Sequence, residues 1–313
     1  MERLTEGEVV PATAYPATDD DVAPFVRATG APGILDVHVH AMPDRLQQAV
    51  WRYFDGLEDP PWPVTYRGDL DERARVLAGL GVRAHTALAY AHRPGMLDWL
   101  NGFTLGLADE RPEVVPTFTL YPEDGVTDAV ASALERGGVV CKVHAQLSRY
   151  HLTDPRLDDA WRLLAEARTV VVAHVSAVYG VDGGADFCGG DALAAFRRRH
   201  PDVVVVVAHL GLPDPDGSML DVLAHDEGVH ADVSMALTDP PFGAAGGVSN
   251  EVVTALRGSV ADRLLFGSDF PTIPHAYAAQ VRGLAALRLD PAGLRAVLHD
   301  RAIALLATAG WTP

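Results

Sequence analysis

Three things are scarce in this 313-residue chain. Cysteine is one: Cys141 and Cys188 are the only two, and neither belongs to a CxxC pair. Two cysteines cannot make a disulfide framework, so a reducing compartment is the default and a cytoplasmic location is expected. Positive charge is the second. The chain has 25 Lys and Arg against 42 Asp and Glu, a formal net charge of −17, and no basic stripe. Nucleic acid and anionic membrane surfaces are therefore poor partners. Long apolar runs are the third. No stretch approaches the roughly 20 residues of a membrane span, and the opening "MERLTEGEVVPATAYPATDDD" lacks the apolar core expected of a signal peptide. Low-complexity tracts are missing too, and with 48% hydrophobic and 21% charged residues the composition is that of a folded globular protein.

What is present is an alternation. Eight short apolar runs recur: "GILDVHVH" (33–40), "VRAHTALAY" (82–90), "VVPTFTLY" (114–121), "GVVCKVHA" (138–145), "TVVVAHVS" (169–176), "DVVVVVAHLG" (202–211), "VHADVSMA" (229–236) and "RLLFGSD" (263–269). Several are nearly continuous in valine, as befits parallel strands covered on both faces. Amphipathic segments separate them, such as "DPRLDDAWRLLAEA", where Asp154 suits an N-cap and Pro155 the first helical position. Eight strand–helix repeats predict an α/β fold, a (β/α)8 TIM barrel forming a single domain. The expected boundaries are an N-terminal arm over 1–32 with a short helix near "DDDVAPFVRA", the barrel over 33–308, and a tail over 309–313. The stretch from Met42 to Gly68, which carries Trp51, Tyr53, Phe54, Trp62 and Tyr66, is too long for an ordinary strand-to-helix connection. It reads either as a satellite cluster holding a long loop down or as a lid over substrate.

Barrel chemistry sits at the C-terminal ends of the strands. Those ends are polar here: His38 and His40 on the first run, Lys142 and His144 on the fourth, His174 on the fifth, His209 on the sixth, Asp269 on the eighth. Side chains alternate along a strand, so His38 and His40 share the inward face, about 7 Å apart at roughly 3.3 Å rise per residue, and can converge on one ion. Asp36 precedes them on that face and is expected to orient a ligand histidine. A lone HxH is most often a chance pairing, but an aspartate among imidazoles in an apolar interior is costly without a cation.

Taken in order, "DVHVH", "KVH", "VVAHVS", "VVAHLG" and "LLFGSDFP" resemble the metal-dependent amidohydrolase superfamily. Within it they look like the amidohydrolase-related (amidohydrolase 2) branch, which is related to aminocarboxymuconate decarboxylase-like enzymes. The likeness extends from about residue 33 to 308. It implies a divalent metal held by His38, His40, His174 and Asp269, with His209 beside the ion as a catalytic histidine. Zinc suits these mixed ligands, and Mn, Fe or Co would be accepted. Lys142 has several readings, the plainest being a structural ion pair with an inward carboxylate. In binuclear members a strand-4 lysine is carboxylated and bridges two metals, so Lys142 and His209 would serve a second ion. In mononuclear decarboxylase-like members that position is usually not lysine. The "KVH" form also suits a lysine that binds a substrate carboxylate.

The leading expectation is a metal-dependent hydrolase acting on a small amide, lactone or similar carbonyl compound. Asp269 would act as general base and then acid, His209 would polarise the carbonyl, and Lys142 would bridge a second metal or fix the substrate. The alternative is non-oxidative decarboxylation of a small carboxylated aromatic or enoic acid. A non-catalytic barrel binding metal or ligand is the third reading. His144, Arg93 and Trp51 are candidate substrate contacts. One of the loop arginines Arg45, Arg52, Arg67, Arg93 and Arg149 would be needed to clamp a carboxylate. His85, His144 and His151 equally read as satisfied polar residues. The expected partner is a small molecule, and the sequence is compatible with a homo-oligomer.

Overall fold

The computed structural model describes residues 4–58, 61–177, 183–238 and 248–313. All eight apolar runs contain strand: β1 (Ile34–Asp36), β2 (Val82–Thr86), β3 (Val114–Val115), β4 (Thr117–Thr119), β5 (Val140–His144), β6 (Val170–His174), β7 (Val204–Val207), β8 (Val229–Asp232) and β9 (Leu264–Leu265). The third run is divided because Pro116 has no N–H to give to a ladder. Its carbonyl still accepts the backbone N–H groups of Val139 and Val140, at 3.0 and 3.2 Å. By its internal packing the chain forms two compact units, Met1–His40 with Asp44–His85 and Val233–Ala304, and Ala41–Pro43 with Thr86–Asp232 and Leu305–Pro313.

In the first unit β1 pairs in parallel with β2, Leu35 opposite Ala84 and Asp36 opposite His85. Beyond β1 the same run bonds to the eighth. Val37 donates to the Phe266 carbonyl at 3.1 Å, Asp269 donates to the His38 carbonyl at 2.7 Å, and His40 donates to the Phe270 carbonyl at 2.7 Å. The first run thus neighbours both the second and the eighth, the relation a closed barrel requires of its first and last strands.

The N-terminal arm is anchored to this unit. Helix α1 (Val22–Ala28) buries Val22, Phe25 and Val26. Asp19 accepts the Tyr66 hydroxyl at 2.5 Å and the Ala278 N–H at 2.8 Å, while Arg282 donates to the Pro16 and Ala17 carbonyls. The long connection after His40, of which residues 59 and 60 lie outside the described ones, is not a bare loop. It contains α2 (Asp44–Asp55), followed by α3 (Leu70–Gly79). Trp51, Phe54, Leu57 and Tyr66 pack against a small core of Trp62, Val64, Met235 and Ile273, and the Trp62 indole donates to the Thr272 carbonyl at 2.7 Å. That is the satellite cluster, and it fastens the connection to the segment just beyond Asp269. Helix α3 starts on a reciprocal cap, with Glu72 N–H on Asp69 and Asp69 N–H on Glu72.

In the second unit β4 to β8 lie side by side in chain order, each pair parallel. Register places His144 opposite His174 and Lys142 opposite Val172. The valine runs are enclosed on both faces, as Val170, Val171 and Val172 show at 2% exposure or less. Helix Asp158–Glu166 follows the expected cap, Asp154 accepting the Arg156 N–H at 3.0 Å. It buries Trp161, whose indole donates to the Leu152 carbonyl at 2.9 Å. Among the described residues no helix is long and apolar enough to cross a membrane.

Candidate active site

In the first unit, His38, His40 and Asp269 come together at the joined ends of the first and eighth runs. His40 Nε2 lies 2.9 Å and His38 Nε2 3.2 Å from the same Asp269 oxygen, Oδ1. The two imidazole rings are 5.2 Å apart, centre to centre. His38 is fully enclosed, but the side chains of His40 and Asp269 keep 11% and 12% exposure, so the cluster is open on their side. Burial works against charge on Asp269, yet the hydrogen bonds and charges of His38 and His40 outweigh it and hold the carboxyl well below its ordinary range.

These residues fit a divalent cation. All three offer ligand atoms that lie within 4.8 Å of one another. Two ligands about 2.0–2.2 Å from one ion, at tetrahedral or octahedral angles, stand about 2.8–3.6 Å apart. The observed 2.9 and 3.2 Å separations fall in that range. Two nitrogens and a carboxylate oxygen are also the donor set of zinc and its first-row neighbours.

Asp36 supports both sides of the cluster, through the backbone. Its Oδ1 accepts the N–H of His38 at 3.1 Å and that of Ser268 at 3.0 Å, and its Oδ2 accepts the Tyr277 hydroxyl at 2.8 Å. The sequence leads one to expect Asp36 to orient a ligand histidine. It acts through the backbone, fixing the main chain carrying His38 and the main chain preceding Asp269, while His38 Nδ1 faces the Ser234 hydroxyl at 3.3 Å. The cause is local: a carboxylate two residues earlier reaches the N–H of a strand end that has left the ladder. Burial pushes the Asp36 carboxyl up to about 6, against the bonds from Ser268, Tyr277 and His38.

Asp36→Ala would leave three buried donors without their acceptor, at ~1–3 kcal/mol each before relaxation. A loss of about 3–5 kcal/mol in urea unfolding is expected. Asp36→Asn keeps an acceptor oxygen and should cost less than half as much. An Asp36→Ala protein as stable as the parent would remove this carboxylate from the architecture of the site.

The second unit gathers the remaining histidines of the motif. His144 and His174 stack at 3.9 Å with a 14° tilt, and His209 meets His174 edge-on at 5.1 Å. His174 Nε2 lies 3.1 Å from the Ser176 carbonyl, a contact that favours a proton on Nε2 and leaves Nδ1 as the ring's lone-pair nitrogen. His144 Nδ1 accepts the Leu147 N–H at 3.4 Å, and its ring also neighbours Tyr90. Lys142 is fully buried on β5, and Thr119 donates its hydroxyl to the Lys142 carbonyl at 2.7 Å.

His209 and Asp269 share a backbone signature. Both lie in the left-handed region, with φ of 56° and 66°. Non-glycine residues are uncommon there and the conformation costs on the order of 1–3 kcal/mol. The His209 N–H is held by Asp232 Oδ1 at 3.1 Å.

A family model described as amidohydrolase matches residues 35–307. The chain belongs to the amidohydrolase family. No curated protein matches it. Among solved structures, this amidohydrolase is similar to an uncharacterised TIM-barrel protein from Bordetella bronchiseptica (18% identity, TM-score 0.70, covering 89% of this chain and 99% of the other). A Pseudomonas putida protein named as a 2-pyrone-4,6-dicarboxylic acid hydrolase shares 19% identity at TM-score 0.61, covering 88% and 98%. A dihydroxybenzoic acid decarboxylase from a Polaromonas species, solved with manganese and 2-nitroresorcinol, shares 13% at 0.63, covering 88% and 97%. These likenesses establish the TIM-barrel fold, and family membership makes the chain an enzyme of the amidohydrolase superfamily.

The other expected contacts have varied surroundings. Arg45, Arg52, Arg93 and Arg149 are exposed, and Arg67 is engaged with Asp55. Trp51 lies beneath the guanidinium groups of Arg67 and Arg73, at 5.6 and 5.8 Å from its ring centre. His85 is buried, and exposed His151 packs against Phe187. Two contributors escaped the sequence reading. Asp232, fully buried, ends strand β8 in the middle of the seventh run, where the run itself continues to Ala236. Tyr277 lies 241 positions from Asp36, with no local signal to join them.

Proposed function

We propose that this amidohydrolase hydrolyses a small organic carbonyl compound, an amide, lactone or similar group, using a divalent metal held by His38, His40 and Asp269. The observation that carries this reading is the convergence of two imidazole nitrogens on one carboxylate oxygen in a partly open cluster. The superfamily motif adds His174 as a fourth ligand. Zinc is the proposed metal, with Mn, Fe or Co as substitutes.

When bound, such an ion lowers the pKa of a coordinated water to about 7 and polarises a carbonyl oxygen. Asp269 would accept the proton of the attacking water and return it to the leaving group. His209 donates a hydrogen bond to the carbonyl oxygen as negative charge builds there. Lys142 holds a substrate carboxylate as a cation or, carboxylated, serves a second ion together with His209. A cytoplasmic setting and a small-molecule partner, rather than nucleic acid or membrane, accord with two free thiols and the acidic composition.

Decarboxylation of a small carboxylated acid is the second reading, favoured by decarboxylases among the solved structures of this fold. Turnover in ¹⁸O-labelled water separates the two. Hydrolysis puts one solvent oxygen into the organic product, and that label is the expected result. Release of carbon dioxide with an unlabelled organic product would overturn the hydrolytic assignment.

A further inference from the structure

Helices α2 and α3 hold a group of cationic and N–H donors that the proposed reaction leaves unused. Arg73 is 5% exposed, yet among the described residues no carboxylate comes within ion-pair distance of its guanidinium. Asp44 and Asp69 act on it only at longer range. Its Nη1 donates to the Gln47 side-chain oxygen at 2.8 Å and its Nε to the Asp69 carbonyl at 3.3 Å. The bond to Arg73 fixes the Gln47 amide, since a flipped amide would set two donors face to face. Among the described residues the Gln47 nitrogen is buried with no acceptor. One helical turn later the Trp51 indole nitrogen is likewise buried with no acceptor among the described residues. The Arg73 guanidinium lies 5.8 Å from the centre of the Trp51 ring.

A buried cation without a counter-charge is costly, and each buried donor without an acceptor adds to that cost. One oxyanion would answer all three, because its several lone pairs accept from a guanidinium and two N–H groups together. We propose that Arg73, Gln47 and Trp51 form a subsite for a small oxyanion, namely a carboxylate. The competing source of the same chemistry is inorganic phosphate. The existence of the subsite is independent of the hydrolytic reading. Only the choice of a carboxylate, as part of the substrate, rests on it. The position is suited to that role, because α2 begins four residues after His40 and its aromatic side packs on the segment just beyond Asp269. Beside the Trp51 ring lies the exposed Arg67–Asp55 pair, which is weakly held.

The test uses the intact protein and needs no turnover. The chain has five tryptophans, so ¹H–¹⁵N spectra show five indole N–H signals, and Trp51→Phe identifies the one from Trp51. Malonate, and in a separate titration inorganic phosphate, is added at constant ionic strength with chloride as the control. The expected result is a saturable downfield movement of the Trp51 signal with malonate and none with chloride. Arg73→Gln should weaken that binding ~10-fold or more, and Gln47→Leu should weaken it several-fold with the fold retained. Saturation by phosphate at lower concentration than malonate would assign the site to phosphate and overturn the carboxylate. Absence of saturation with either anion, or undiminished binding in Gln47→Leu and a folded Arg73→Gln, would overturn the subsite itself.

Discussion

Asp269→Asn is expected to lose bound metal and turnover together. In the parent, Oδ1 of Asp269 is the point on which His38 and His40 converge, at 3.2 and 2.9 Å. The substitution keeps the shape but removes the negative charge and halves the acceptor capacity of the group. Loss of a positioned general base alone is worth ~10²–10⁴ in rate. With the ion lost as well, the fall in kcat/KM should reach ~10³ or more. His38→Ala should behave alike, since it removes the enclosed nitrogen of the same cluster. Metal content by mass spectrometry and kcat/KM are the paired readouts. Chelation of the parent should abolish turnover, and added zinc should restore it in the parent but not in Asp269→Asn. A variant that kept full metal content and full rate would refute the assignment of the centre.

The candidate residues that sequence made legible are those that a strand writes locally. His38 and His40 alternate with Val37 and Val39, both buried, so periodicity alone aims the histidines together. Lys142, His174, His209 and Asp269 end apolar runs and are exposed to the same rule. Other features were hidden for definable reasons. The path of the first run beyond Asp36 follows the N–H captured by that carboxylate, and no hydropathy pattern reports such a bond. The left-handed conformations of His209 and Asp269 run against the residues' own preferences and are imposed by their surroundings. Helix α2 was obscured by aromatic residues that suit a loop cluster as well as a helix face. Arg73 sits in a charged helical segment where arginine ordinarily reads as solvated, and only packing reveals it as buried. Periodicity gives the direction of a side chain within its own element. The partner that element meets, often two hundred residues away, is a property of tertiary packing.

Lys142→Arg is expected to abolish turnover as completely as Lys142→Met, by ~10²-fold or more, although it preserves the positive charge. Lys142 is the sole lysine, and every other basic residue in the Lys and Arg total of 25 is arginine. It is also fully buried. A chain that meets its surface needs with arginine yet keeps one lysine in its interior uses a property arginine lacks, either a compact ammonium or an amine that can lose its proton and form a carbamate. Both roles proposed for it, holding a substrate carboxylate and carrying a carboxyl group to a second ion, depend on that difference. Lys142→Met has a straight apolar side chain of similar length and should remain folded, which makes it the reference for judging Lys142→Arg by thermal unfolding. Metal stoichiometry then separates the roles. A carbamate requires a second ion that disappears in Lys142→Met, whereas a carboxylate-binding ammonium leaves the metal count unchanged and raises KM. Full activity in a folded Lys142→Arg protein would reduce the residue to a buried positive charge and remove it from the chemistry.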